Sequence, residues 1–165
     1  KASPFNKQVW IWLQAQLLQP GEPLPAPVAG RLVLLPGVIY ECAAADWEGL
    51  TVIGPNGTEA AATVIVRGDL RWQDCWGNIN LVVAGDCSQT LDREAMVAVQ
   101  GVIWVQGTLD VCNIHVKGAL LAGSLYLRAG PTIGGANLSL AGFPWQTGTS
   151  GLVVPKFGAW NYVFD

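Results

Sequence analysis

The stretches TVIVRGDLRW, residues 63–72, and GVIWVQGTLDV, residues 101–111, decide how this chain folds, because each repeats the pattern of the other. Val64, Val66, Gly68, Leu70 and Trp72 match Ile103, Val105, Gly107, Leu109 and Val111 at one constant shift. Apolar residues at every second position place one side-chain set on one face of a strand. The glycine that follows supplies the freedom a sharp corner needs.

Neighbouring pieces recur less regularly. Asn78-Ile79 answers Asn113-Ile114, and LVVAGD from Leu81 answers ALLAGS from Ala119, each at a shift slightly shorter than the first. Short strands of alternating apolar residues are punctuated at Gly68, Gly77, Gly85, Gly101, Gly107, Gly118, Gly123 and Gly130. Strands this short, with corners this frequent, suit a coil that turns every roughly 18 to 20 residues, two turns filling one copy. The expected fold is therefore all-β, a β-solenoid-like stack of short glycine-cornered strands. An antiparallel β-sandwich or jelly roll is the alternative, since it also uses short strands at regular spacing. Repetition at a fixed period favours the solenoid. By the same register Trp72 points inward, whereas Trp104 has the opposite parity to Ile103 and Val105 and points outward.

Outward from the repeat, residues 31–165 read as a single β-rich domain with the imperfect repeat over 63–135. RLVLLPGVIY (31–40) holds two short strands broken at Pro36-Gly37, and a strand near Thr51–Ile53 ends in the turn Gly54-Pro55-Asn56-Gly57. Residues 20–30, PGEPLPAPVAG, contain four prolines and read as an extended linker. Residues 1–19 form an N-terminal apolar segment. Its QVWIWLQAQLLQ fits a helix with Val9, Leu13 and Leu17 on one face, and equally a strand alternating through Val9, Ile11 and Leu13. After Gly135 the repeat fades into an aromatic end, as a capping segment would.

Composition narrows the function classes. Apolar residues make up 51% of the 165 residues and charged ones 13%, with eight tryptophans. A net charge of −3 with nine scattered basic residues points away from nucleic acid, whose binding rests on clustered Lys and Arg. The apolar run Val9-Trp10-Ile11-Trp12-Leu13 is far short of the roughly 20 residues that span a bilayer. The chain begins at Lys1, so a leader or anchor removed before it is an expectation. The sequons Asn56-Gly57-Thr58 and Asn137-Leu138-Ser139 are compatible with secretion.

The run VAVQGVIWVQGTLDVCNIHVKGALLAGSLYL, residues 97–127, resembles the β-solenoid region of large minor pilins and type IV pilus-associated surface proteins, and the likeness extends over about residues 63–140. It implies glycine-cornered rungs displayed at the cell surface, with a pilus-tip or adhesive role. No residue role is carried over from that family.

Four cysteines, Cys42, Cys75, Cys87 and Cys112, permit three disulfide connectivities. Stacking the two copies suggests Cys75 with Cys112, leaving Cys42 with Cys87. A metal site is disfavoured, because no C-x-x-C occurs and His115 is the single histidine. Cys112 and His115 differ by an odd number of positions, three, so on a strand they face opposite ways, which also speaks against a thiol nucleophile with its base. No nucleophile elbow, phosphate loop or H-E-x-x-H is present. Asp69, Asp74, Asp86, Asp92, Glu94 and Asp110 are the carboxylates available for paired acid–base work; Asp69 and Asp110 fall near corners, where solvated turn carboxylates are ordinary. Trp47, Trp72, Trp76, Trp104 and Trp145 are core or stacking residues, with Trp104 the best candidate for a contact surface.

These observations lead to an expectation of a non-catalytic extracellular structural protein, pilus-associated or filament-forming, without a cofactor. Its partners would be copies of itself or pilus components. In one version the strand Val9, Trp10, Ile11, Trp12, Leu13 is donated to a neighbour's sheet edge. The alternative is a carbohydrate-binding module or polysaccharide lyase on a solenoid scaffold, with a glycan as partner.

Overall fold

The structure, a computed structural model, describes residues 11, 14, 15, 17–89, 97–127 and 137–141, with only the backbone described at 97, 98, 119 and 137–141. Its strands are Glu22–Pro23 (β1), Arg31–Val33 (β2), Ile39–Cys42 (β3), Ala45–Glu48 (β4), Thr51–Ile53 (β5), Ala62–Val66 (β6), Leu70–Gln73 (β7), Cys75–Val83 (β8), Cys87–Ser88 (β9), Val97–Val111 (β10), Asn113–Leu127 (β11) and Asn137–Ala141 (β12). All of their pairings are parallel, and the chain winds through about five turns of a β-solenoid. The sandwich alternative, which needs antiparallel pairs, is excluded.

Each turn crosses three walls. The first wall stacks β2, β5, the start of β8, the start of β10, the start of β11, and β12, through the column Leu32, Val52, Gly77, Val99, Val116, Leu140. The second stacks β1, β3, β6, the end of β8, the middle of β10 and the later part of β11, through Tyr40, Val64, Leu81, Ile103, Leu120. The third stacks β4, β7, β9 and the ends of β10 and β11, through Leu70, Cys87, Leu109, Leu125. Alternation along each strand turns the described side chains of these columns inward as far as β11, and Leu32, Val64, Leu81, Ile103, Leu70 and Leu109 are fully or almost fully buried in one continuous core.

The constant shift between the two copies has a plain structural meaning. Val64 pairs with Leu81, which pairs with Ile103, so one period is two turns. The turns are unequal, the one from Val64 to Leu81 being shorter than the one from Leu81 to Ile103, and they fall on either side of the even spacing expected. The recurrence of Asn-Ile is not structural, because Asn78 aligns with Gln100 and, through it, with Lys117 instead of Asn113. The match of LVVAGD to ALLAGS holds only past one corner. Before it, Leu81 aligns through Ile103 with Leu120 instead of Ala119; beyond it, Asp86 aligns through Thr108 with Ser124, a register shift between Val105 and Thr108 absorbing one residue.

That corner explains the recurring Gly-Asp. Gly85 N–H donates to Gly68 O at 2.9 Å and Gly107 N–H to Gly85 O at 3.1 Å, so the corner backbones stack directly. A Cβ at Gly107 would run into Asp86 Oδ1 and the Gly85 carbonyl, so the close approach admits glycine alone.

The proline-rich stretch is more integrated than a linker. Its Glu22 and Pro23 pair with Tyr40 and Glu41, Leu24 N–H donates to Glu41 O at 3.0 Å, and Val28 and Arg31 exchange two hydrogen bonds of 2.9 Å. Pro23 is tolerated because β1 ends the stack of the second wall among the described residues and needs no donor on its outer side.

Candidate contact surface on the second wall

The second wall is unlike the other two because from β6 to β11 both of its faces are apolar. The column that points away from the core runs Glu41, Ile65, Val82, Trp104, Leu121. Of these, Ile65 is 0%, Val82 1% and Trp104 3% exposed, and with Val102 they form a second cluster separate from the interior core. Trp104 thus has the outward direction that parity assigns to it, but it is sealed from solvent. A glycan cannot stack on a ring in that position, which removes the observation that motivated a sugar platform there.

The N-terminal segment contributes to the cover. Ile11, Gln14, Ala15, Leu17 and Leu18 have helical backbone, and Leu17 packs against the second cluster together with Ile39 and Leu121. Of the proposed donated strand, Ile11 is helical, while Val9, Trp10, Trp12 and Leu13 lie outside the described residues. The helix ends where Arg67 can reach it: the guanidinium donates from Nη1 to Leu17 O and from Nη2 to Gln19 O at 3.0 Å, supplying partners to carbonyls that a helix C-terminus leaves open. The same group donates from Nε and Nη2 to Glu41 Oε2 at 3.1 and 2.6 Å. The hydrogen bond from Arg67, followed by one from the Gly21 backbone, holds the Glu41 carboxyl below the usual carboxylate range. Arg67 therefore ties together the helix end, the hinge after it and the strand β3. An exposed ion pair contributes little by itself, whereas burying one tryptophan removes roughly 150–250 Å² from water, about 4–6 kcal/mol at about 25 cal/mol per Å². Apolar cover holds the face and Arg67 sets where the helix stops.

Sequence reasoning singled out Trp104, placed Leu17 on the apolar face of its helical alternative, and missed Arg67 and Glu41. The legible signal was in TVIV, LVVA and VIWV, which are apolar at both parities, as strands covered on both faces are.

Two of the remaining candidate carboxylates, Asp69 and Asp86, serve the backbone. Asp69 Oδ1 accepts from Asp86 N–H at 2.9 Å, and Asp86 Oδ1 accepts from Thr108 N–H at 2.8 Å, each carboxylate tying its corner to the next turn. Asp74 turns a corner with φ of 51°, Asp110 lies in the outward register of the third wall, and Asp92 and Glu94 are outside the described residues. No group of three or more His, Cys, Asp or Glu among the described residues is arranged to hold a metal ion. Trp47 and Trp72 are interior neighbours in the third wall, Trp76 is 39% exposed on the first, and Trp145 lies outside the described residues.

All four cysteines are free thiols. Stacking does not bring Cys75 to Cys112: Cys75 is in register with Val97 and, one turn further, with Ile114, so Cys112, at the corner just before Ile114, is two turns of the stack away. The shift between the copies carries Cys75 to Ile114, two residues past Cys112, and places a full turn between the matching positions. Cys75, Cys87 and Cys112 are buried and Cys42 half-buried. Burial pushes the Cys75 thiol up to about 11 and that of Cys87 well above the ordinary value. His115 sits between the buried Ile114 and Val116 and takes the opposite face, away from Cys112.

Among the described residues no helix is long and apolar enough to cross a membrane. Comparison with protein-family models, with curated proteins and with solved structures gave no match.

Proposed function

We propose that this chain is a non-catalytic structural subunit of an extracellular surface assembly, filament-forming or pilus-associated, in which the solenoid is the body and the N-terminal helix the element that engages a partner. The supporting observation is the outward face of the second wall, apolar over successive turns at Ile65, Val82 and Trp104 and covered in part by the chain's own N-terminal helix. That wall is already sealed within the chain, and the helix lying on it leaves Ile11 and Leu18 exposed, apolar side chains that association with a partner would cover. The carboxylates at the corners are engaged in hydrogen bonds to the backbone, which fits a scaffold better than an acid–base pair. The test is negative-stain electron microscopy of the native protein together with light scattering over a range of concentrations. Ordered filaments or discrete oligomers are the expected result. A monodisperse monomer at every concentration overturns self-assembly.

A further inference from the structure

The N-terminal helix has more apolar surface than its seat uses. Leu17 packs into the second cluster, yet the adjacent Leu18 is 86% exposed and Ile11 is 54% exposed. A helix that lies on one wall of one body buries one stripe, and Leu18 and Ile11 are outside it. The connection from this helix to β1 is also short. Leu18 is the last helical residue and Glu22 the first of β1, leaving Gln19, Pro20 and Gly21 between them. Pro20 fixes its own φ, and Gly21 lies so close to β3 that a Cβ there would be 2.9 Å from the Tyr40 carbonyl carbon and from Glu41 N. Short, constrained hinges of this kind favour exchange of the element beyond them between identical chains, because opening the hinge sacrifices contacts that an identical neighbour restores in full.

Resting on the assembly reading above, we propose that the partner is a second copy of this chain and that the contact is exchange of the N-terminal helix: the helix of one copy leaves its own second wall and seats Leu17 over Ile65, Val82, Val102 and Trp104 of its neighbour. Arg67 of the receiving copy then caps the incoming helix, making the bonds to the carbonyls of Leu17 and Gln19 that it makes within one chain. The two bodies are brought together around the exchanged helices, so Leu18 and Ile11 gain cover that a single body does not provide. Nothing new has to fold, since the seat, the cap and the helix are all present in each copy.

The hinge is the place to test this in the full chain. Inserting a short flexible Gly/Ser segment between Gln19 and Pro20 lets each helix settle on its own body with ease, and deleting Pro20, which keeps the Gln19 carbonyl that Arg67 caps, keeps it from reaching its own seat. Light scattering and electron microscopy are read on both variants beside the wild type, with circular dichroism as the check that each retains its strands. Exchange is supported when the insertion reduces the assembled fraction about tenfold at fixed concentration, or when the deletion raises it by a similar factor. Should the wild type assemble and both folded variants assemble to the same extent, exchange is overturned while the assembly reading stands. A deletion variant that loses its strands leaves the decision to the insertion variant, which adds length outside the body. A wild type that is monomeric throughout overturns both readings.

Discussion

Trp72 lies at the centre of the interior, fully buried beside Trp47 of the preceding turn, and its Nε1–H has no hydrogen-bond partner among the described residues. A buried donor without a partner costs about 1–3 kcal/mol, so the ring stabilises by its volume and against its polar atom. Trp72→Phe is therefore expected to stay within about 1 kcal/mol of the wild type, and Trp72→Ala to lose about 3–5 kcal/mol, as read from the urea midpoint. A Phe variant as damaged as the Ala variant would mean that Nε1 has a partner after all. The interior thiols give a second prediction. In the unfolded chain a thiol ionises near about pH 8.5, while in the fold burial holds Cys75 protonated up to about 11 and Cys87 higher still. Below that unfolded value both states keep the proton and the thiols do not make stability depend on pH. Above it only the unfolded state ionises, so stability falls as the pH rises from about 8.5 towards 11, by about 3 kcal/mol for Cys75 alone. Denaturant titrations at pH 8 and pH 10.5 measure the drop. At pH 8 a thiol reagent should find half-buried Cys42 first.

At the scale of elements, the first and third walls were the legible ones. Their strands carry one apolar face and one wet face, and period-two alternation states which is which: Trp72 and Val111 read as inward and are inward. The second wall was half legible. Alternation gave Trp104 its direction, but direction does not say what lies over a face, and the cluster that contains Trp104 receives Leu17 from the far N-terminal part of the chain. That helix was ambiguous for a physical reason: in QVWIWLQAQLLQ apolar residues recur at the spacings of both a strand and a helix, so periodicity cannot separate the two, and the tertiary seat decides. The cysteine pairing failed because one period of the sequence is two turns of the coil, so matching positions of the two copies are not stacked neighbours: Val97 lies between Cys75 and Ile114. Arg67 could have been noticed as the charge that interrupts TVIVRGD, though its three partners come from segments that only the stack assembles.

For the whole molecule, a stack in which each turn touches mainly its two neighbours has stability that varies with position. The turns through β6, the end of β8 and the middle of β10 have a paired strand on either side and, in the second wall, apolar cover on both faces. Hydrogen exchange is expected to be slowest at the amides of Val64, Leu81 and Ile103 and their neighbours. It should quicken towards β1 and β2, where the stack ends among the described residues. Uniform protection from β2 to β11 would instead mark one all-or-none unit. The unequal turns have a further consequence. The segment 54–61, between β5 and β6, belongs to the turn that brings Tyr40 round to Val64, which is longer than the next, from Val64 to Leu81, and the columns stay in register across the difference. Length is thus stored in excursions that the walls do not count, and a foreign peptide spliced into 55–59 would be carried on the outside of the coil as cargo, with the winding beneath it unaware of the load.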